Sequence, residues 1–148
     1  MENLKIEDRD KLQRIVNELE EQQAAVELLR QQISAMATSL TELSMTIGAI
    51  KVLKDTKPNT EILVPIGCDS FITAKLSSVD KVITGLGADI MAERGADDAI
   101  KFLENRATEI ERTIEQARNE LNKLEERIET LRPEAERILG KARTTLKK

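Results

Sequence analysis

Histidine, tryptophan and tyrosine are absent from this chain of 148 residues, and cysteine occurs once. Without histidine, Ser-His-Asp and Cys-His mechanisms are excluded. The single Cys68 excludes an internal disulfide, and a metal site would have to use carboxylates and one thiol. No phosphate-binding glycine loop occurs, since Gly85-Leu86-Gly87 lacks the third glycine of a dinucleotide fingerprint. We therefore expect no enzymatic activity and no cofactor.

Aromatic residues are nearly missing as well, with only Phe71 and Phe102 present. A chain with 1% aromatic and 34% charged residues is not expected to form a compact globule around a large core. Its apolar content is mostly Leu, Ile, Val and Ala, which suits a narrow seam repeated along a helix pair.

A strong excess of one charge sign is also lacking, because 23 basic and 27 acidic residues are mixed along the chain. The short basic tail (Lys141, Arg143, Lys147 and Lys148) is better explained by favourable charge at a helix C-terminus than by nucleic-acid binding. No run approaches the ~18 apolar residues of a membrane span. The N-terminus lacks the layout of a secretory signal. We expect a cytoplasmic protein that binds neither nucleic acid nor membrane.

Two long heptad arrays are what the chain does contain. Positions a and d counted from Leu12 are apolar except for Gln22, and those counted from Ile100 are apolar up to Thr145. Such a 3.5-residue repeat predicts a supercoiled seam. Two arrays joined by a short centre predict an antiparallel hairpin of helices spanning residues 8–54 and 98–146. Pro133 lies inside the second array without changing its phase, so we expect a kink and no helix end.

The centre predicts two β-hairpins within residues 61–94. Runs at 62–66, 71–76, 82–86 and 90–93 have strand character, and turns at Gly67-Cys68-Asp69-Ser70 and Gly87-Ala88 separate them in pairs. So small an insert cannot bury enough apolar surface alone, and its open edges need cover. We therefore expect the hairpins of several chains to associate sheet to sheet into an oligomeric β platform. The residues expected to form it are Ile62, Val64, Ile66, Phe71, Ile72, Leu76, Val82, Ile83 and Leu86.

The first helix changes character along its length. Between Gln31 and Ile50 the only charged residue is Glu42. Small uncharged residues occupy the other off-seam positions, which favours packing against something beyond the partner helix. This half of the helix is therefore predicted to be covered.

The order of these elements resembles the alpha subunit of archaeal prefoldin. The most specific part is the run Leu63-Val64-Pro65-Ile66-Gly67 followed closely by the strand that carries Phe71. Two hairpins, where the beta class has one, point to the alpha class. The resemblance implies one domain over residues 1–148, mainly α with a small β part, whose two hairpins assemble with those of other subunits into an oligomeric β-barrel platform.

The resemblance also implies a function. It implies an ATP-independent holdase in which two alpha subunits and four beta-type subunits form a hexamer. Its coiled-coil tips bind non-native proteins and deliver them to a group II chaperonin. Seam residues at a fraying helix end then become candidate client contacts. The candidates are Leu4, Ile6, Leu12, Ile15, Val16, Ile138, Leu139, Ala142 and Leu146.

The candidate client contacts, and the function itself, each have an alternative interpretation. Leu12, Ile15 and Ile138 are as well explained by completing the seam, whereas Leu4, Ile6, Val16 and Leu139 lie off it and favour exposed contact. A coiled-coil spacer or filament-forming subunit without client delivery is the alternative function. A tether associated with nucleic acid is a further alternative, which the balanced charge disfavours.

Overall fold

The computed structural model describes residues 5–145, apart from the side chains of residues 142, 143 and 145. Helix α1 (Ile6–Lys54) is followed by strands β1 (Glu61–Gly67), β2 (Ser70–Lys75), β3 (Lys81–Gly87) and β4 (Ile90–Gly95), and helix α2 (Ala96–Thr145) comes last. The predicted order of two long helices and two small hairpins is confirmed.

Helix α2 begins slightly earlier than the sequence indicates. Asp97 and Asp98 lie in its first turn. Their carboxylates are favourable there, because the helix N-terminus carries partial positive charge. The N–H of Ala96 donates to the carbonyl oxygen of Asp80 at 3.1 Å, which satisfies one amide that the helix leaves open.

The chain divides into two compact units. The first, here called the terminal unit, contains the residues up to Ala37 and those from Arg112 onward. The second, the hairpin unit, spans Thr38–Glu111. Each unit contains a part of both helices.

The terminal unit is held by one cluster of buried side chains. This terminal cluster consists of Leu12, Ile15, Leu131, Ala135 and Ile138, with Val16 and Leu19 packed against it. Residues near the start of α1 thus contact residues near the end of α2, so the two helices are antiparallel here. Leu131 is 2% exposed, which makes it a central side chain of the cluster.

The hairpin unit has its own cluster at the other ends of the helices. Ile50 of α1 packs with Ala96, Ala99 and Leu103 of α2. Partly buried side chains that complete this hairpin cluster are Leu43, Ile47, Val82, Ile100 and Phe102. Val82 is the member contributed by a strand, so β3 is seated on the helix pair.

The heptad prediction is confirmed in both helices. Every seam position from Leu12 to Ile50, and from Ile100 to Ile138, is buried or half-buried. Helix α2 continues through Pro133 to Thr145. The proline therefore does not end the helix, as the unbroken heptad phase of α2 indicates.

Part of α1 is long and apolar enough, by length and composition alone, to cross a membrane. The segment contains no long uninterrupted apolar run, because serine, threonine and glycine are interspersed in it. These residues lower the mean hydropathy only slightly. The same helix carries Leu43, Ile47 and Ile50, which pack in the hairpin cluster.

Both hairpins are antiparallel and use the same turn. Gly67 pairs with Ser70 across Cys68-Asp69, and Gly87 pairs with Ile90 across Ala88-Asp89. Both residues of each loop have positive φ, at 47° and 54° in the first hairpin and 48° and 59° in the second. This backbone twist matches that of the strands. The register shifts by a residue just before each turn glycine.

Candidate interaction surfaces

The second hairpin has one face fixed to helix α2. Arg94 donates from Nε to the Thr84 hydroxyl at 3.2 Å, and its guanidinium lies 4.2 Å from the centre of the Phe102 ring. Thr84 is 7% exposed. A cation over an aromatic face and a partly buried hydrogen bond together favour one orientation of the hairpin.

The opposite face of this hairpin is exposed. Ile83 is 67% exposed and Met91 is 65% exposed. At the turn end, Ile90 and Leu86 are 59% and 46% exposed. An apolar surface of this kind on a small unit marks an interaction site.

The first hairpin carries apolar side chains on both faces. Val64 and Ile72 are paired and share one face, while Leu63 and Phe71 lie on the other. Leu63, Phe71 and Ile72 are each more than half exposed, and Ile66 beside the turn is 62% exposed. None of the described residues of this hairpin belongs to either buried cluster. The first hairpin therefore exposes apolar side chains on both of its faces.

The predicted assembly residues fall into two groups. One group is half-buried within the chain and consists of Ile62, Val64, Leu76 and Val82. The other group is exposed and consists of Ile66, Phe71, Ile72, Ile83 and Leu86. Leu63, Ile90 and Met91, which the sequence prediction does not name, are exposed as well. The uninterrupted apolar run at 62–64 was the available signal, since it supplies both faces of a strand.

The predicted client contacts are also divided. Leu12, Ile15 and Ile138 are buried in the terminal cluster, and Val16 packs against it. Ile6 is 79% exposed and Leu139 is 43% exposed. Leu4, Leu146 and the side chain of Ala142 lie outside the described residues. Val16 is the off-seam residue whose expected exposure is not observed, because it reaches the side of the cluster.

Ion pairs connect the two helices in the terminal unit. Lys11 Nζ lies 2.7 Å from Glu134, Arg30 lies 2.7 Å from Glu125, and Arg127 lies 2.6 Å from Glu18. The hydrogen bond and charge of Lys11 hold the pKa of Glu134 below its ordinary value of 4.5. The hydrogen bond to Glu18 likewise raises the pKa of Arg127. These pairs are solvent-exposed, so they guide register more than they add stability.

The hairpin unit has corresponding ion pairs. Lys51 pairs with Glu104 at 3.4 Å, and Lys54 hydrogen-bonds Asp97. That hydrogen bond raises the pKa of Lys54. Within the part of the chain that the structure describes, no group of three or more Cys, Asp and Glu side chains could hold a metal ion.

The uncharged side of α1 is exposed within the single chain. Met45 is 71% exposed and Val52 is 68% exposed, and Thr38, Thr41 and Gly48 continue the same side at helical spacing. Within residues 5–145, the predicted cover of this side is therefore not observed.

Comparison with known proteins gives a consistent result. The family model described as Prefoldin subunit matches residues 22–141. The prefoldin subunit alpha of Methanosphaera stadtmanae is 34% identical over 134 residues, covering 90% of this chain and 96% of the relative. That of Methanosarcina barkeri is 33% identical over 122 residues, covering 80% and 85%. A filamentous PFD from Methanocaldococcus jannaschii, solved by cryo-EM, has a similar fold, with TM-score 0.71, 24% identity and coverage of 80% and 98%.

Proposed function

Because the chain belongs to the prefoldin family of soluble chaperones, whose members assemble with other prefoldin subunits, we propose that it is the alpha-type subunit of an ATP-independent holdase. Two copies join four beta-type subunits through the hairpins. The complex acts in the cytoplasm, captures non-native proteins at its helix ends and delivers them to a group II chaperonin.

The exposed apolar surface of the hairpins is the observation that carries the proposal. A two-stranded hairpin is marginally stable alone in water, and here each strand also has an unpaired edge. Pairing with hairpins of other subunits satisfies those edges and buries Leu63, Phe71, Ile83 and Met91. At ~25 cal/mol per Å² of apolar surface, burying several such side chains supports a stable interface.

Assembly is tested with a matched pair of leucines. Leu63 of the first hairpin is 68% exposed and Leu28 of α1 is 57% exposed, so neither substitution leaves a cavity. We expect Leu63→Asp to prevent formation of a complex with a beta-type prefoldin subunit, measured by native mass spectrometry. Leu28→Asp should leave the mass of the complex unchanged. Retention of the full complex by Leu63→Asp would contradict assembly through the first hairpin.

Capture of a non-native protein requires no nucleotide, because it depends on hydrophobic contacts of moderate strength. Ile6 and Leu139 are exposed near the helix ends, beside the terminal cluster. Contacts of a few apolar groups are weak singly, and several subunits in one complex multiply them.

Capture is tested by removing residues 1–10 and 140–148. The shortened protein should still assemble but should fail to suppress aggregation of heat-unfolded citrate synthase, followed by light scattering without ATP. Loss of the oligomer on shortening would instead show that the chain ends are structural.

The filamentous structural neighbour supports a second candidate function, a filament-forming subunit without client delivery. The mass distribution of the assembled protein distinguishes the two. A single mass with a beta-type subunit supports the holdase, whereas a ladder of masses from this chain alone supports the filament.

A further inference from the structure

The uncharged side of α1 repeats with the period of a helix seam. Thr38, Thr41, Met45, Gly48 and Val52 are all exposed and all lie in the hairpin unit. They are spaced alternately by three and four residues, which is the spacing that places side chains in one line for a partner helix. Helix α1 therefore has a second helix-packing surface in addition to the one that α2 covers.

The residues at the centre of this surface are poorly suited to contact with water. Met45 is 71% exposed and Val52 is 68% exposed. Gly48 weakens a helix interior, and a Cβ atom at this position would meet nothing within 4 Å. The single chain thus gives no packing reason for the glycine, whereas a second helix that approaches closely does.

A groove lies beside Met45, between the two helices of the hairpin unit. Its volume is about 470 Å³, and it is lined by Thr41 and Ser44 of α1 and by Ala107 and Glu111 of α2. Methionine is unbranched and flexible, so it fills irregular gaps well. A surface that combines a projecting methionine with a groove is self-complementary, as a two-fold contact between identical chains requires.

Charge restricts which helix can cover this surface. In the same unit the exposed side of α2 carries Lys101, Arg106 and Glu109. Packing that side against uncharged residues would take its charges out of water without partners. Within residues 5–145, the uncharged side of a second α1 is the helix surface that covers the first without this penalty.

The contact is too small to hold two chains together unaided. The stretch from Thr38 to Val52 is about 21 Å long at ~1.5 Å per residue, so a contact about 10 Å wide covers on the order of 200 Å² of each copy. Stable complexes bury about 800 Å² per partner. The helices therefore need the hairpins to bring them together.

We propose that the uncharged side of α1 packs against the same side of α1 in a second copy of this chain. This inference rests on the proposed assembly, which brings two copies into one complex, and it adds a helix contact to the hairpin contact. Met45 is the middle residue of the five, so a two-fold axis places it next to its counterpart. Each α1 keeps its own α2, because Lys51 and Lys54 pair with Glu104 and Asp97 on the seam side.

Photo-cross-linking identifies the neighbour of Met45 directly. Methionine is replaced by its diazirine analogue, and isotope-labelled and unlabelled copies are mixed before assembly with a beta-type prefoldin subunit. We expect Met45 to link to residues 38–52 of another copy, which gives peptide pairs of mixed isotope content. Met91 is exposed on the second hairpin, and its links to other subunits report the hairpin assembly separately.

The two methionines distinguish failure of the inference from failure of the proposed function. Links from Met91 to other subunits, with Met45 linked to a beta-type subunit, to its own chain or to water alone, would overturn the inference and leave the assembly standing. No link between subunits from either methionine would refute the assembly, and the α1 contact with it. Links from Met45 between copies support the inference whatever Met91 contacts.

A matched pair of glycines tests the contact by the sign of its effect. Gly48 and Gly140 are both exposed in helices, and a Cβ atom at either position would meet nothing within 4 Å. Gly48→Gln and Gly140→Gln should each raise the helix content of the isolated chain, measured by circular dichroism. Gly48→Gln alone should raise the concentration at which the complex dissociates, by about tenfold, because the side chain separates the two helices. A complex as stable with Gly48→Gln as with Gly140→Gln would contradict the contact.

Discussion

Replacement of Leu131 by alanine tests the packing of the terminal unit directly. The Leu131 side chain is 2% exposed and contacts the terminal cluster. The substitution removes three carbon atoms, which is worth ~2.4 kcal/mol of transfer free energy at ~0.8 kcal/mol per group. The cavity left between two helices adds about 1 kcal/mol. We therefore expect the free energy of unfolding to fall by about 3 kcal/mol.

Leu139→Ala is the matched control, because Leu139 lies on the same helix and is 43% exposed. The helix propensities of leucine and alanine enter both variants equally, so the difference between them reports burial. We expect Leu139→Ala to cost at most about 1 kcal/mol. The assay is urea unfolding followed by circular dichroism at a fixed protein concentration, because assembly shifts apparent stability.

The local effect is measured by hydrogen exchange. Amides around residues 12–19 should lose protection in Leu131→Ala although they belong to the other helix. Equal costs for the two variants, with no change on α1, would refute the antiparallel packing of Leu131 against Leu12 and Ile15.

Further outcomes are expected at an ion pair and at a turn. The pKa of Glu134 is depressed by Lys11. The contribution of this carboxylate to stability is therefore present above pH 4.5 and is lost as the pH falls through its folded-state pKa. Urea unfolding at several pH values should show this decline in the free energy of unfolding, and the decline should be smaller in Glu134→Gln. At Ala88, φ is 48°, which costs alanine about 1 kcal/mol that glycine avoids. Ala88→Gly should therefore stabilise the second hairpin, whereas Ala92→Gly in strand β4 should destabilise it, and an unfavourable Ala88→Gly would contradict the turn geometry.

The helices were predictable because their burial follows a local period. Any residue placed every 3.5 positions on the seam meets the partner helix, so Leu12, Ile50 and Ile138 are buried as the heptads indicate. The continuation through Pro133 followed from the same repeat. The strands were predictable within a residue or two, since β-branched runs and turn glycines mark them.

The exposed surface was less predictable because it depends on contacts between distant segments. Alternation along β1 singled out Ile62, Val64 and Ile66. The apolar run at 62–64 indicates two apolar faces, but it does not say which face the rest of the chain leaves uncovered, and Leu63 is 68% exposed. The left-handed backbone at Cys68 and Ala88 was missed for another reason. Glycine and asparagine are the usual residues with a left-handed backbone. The sequence therefore points to Gly67 and Gly87 as the residues with positive φ, and gives no sign that Cys68 and Ala88 also adopt it.

The signs of the interhelical ion pairs restrict which helices can associate. Four ion pairs between the described parts of the helices place the cation on α1 and the anion on α2, whereas the pair of Glu18 with Arg127 has the reverse order. Two copies of α1 laid side by side would bring Lys11, Arg30, Lys51 and Lys54 toward like charges, and two copies of α2 would do the same with carboxylates. Such repulsion discriminates against the wrong partner more than it stabilises the right one. Subunits of an oligomer can therefore approach one another while each α1 keeps its own α2, because pairing between identical helices is disfavoured.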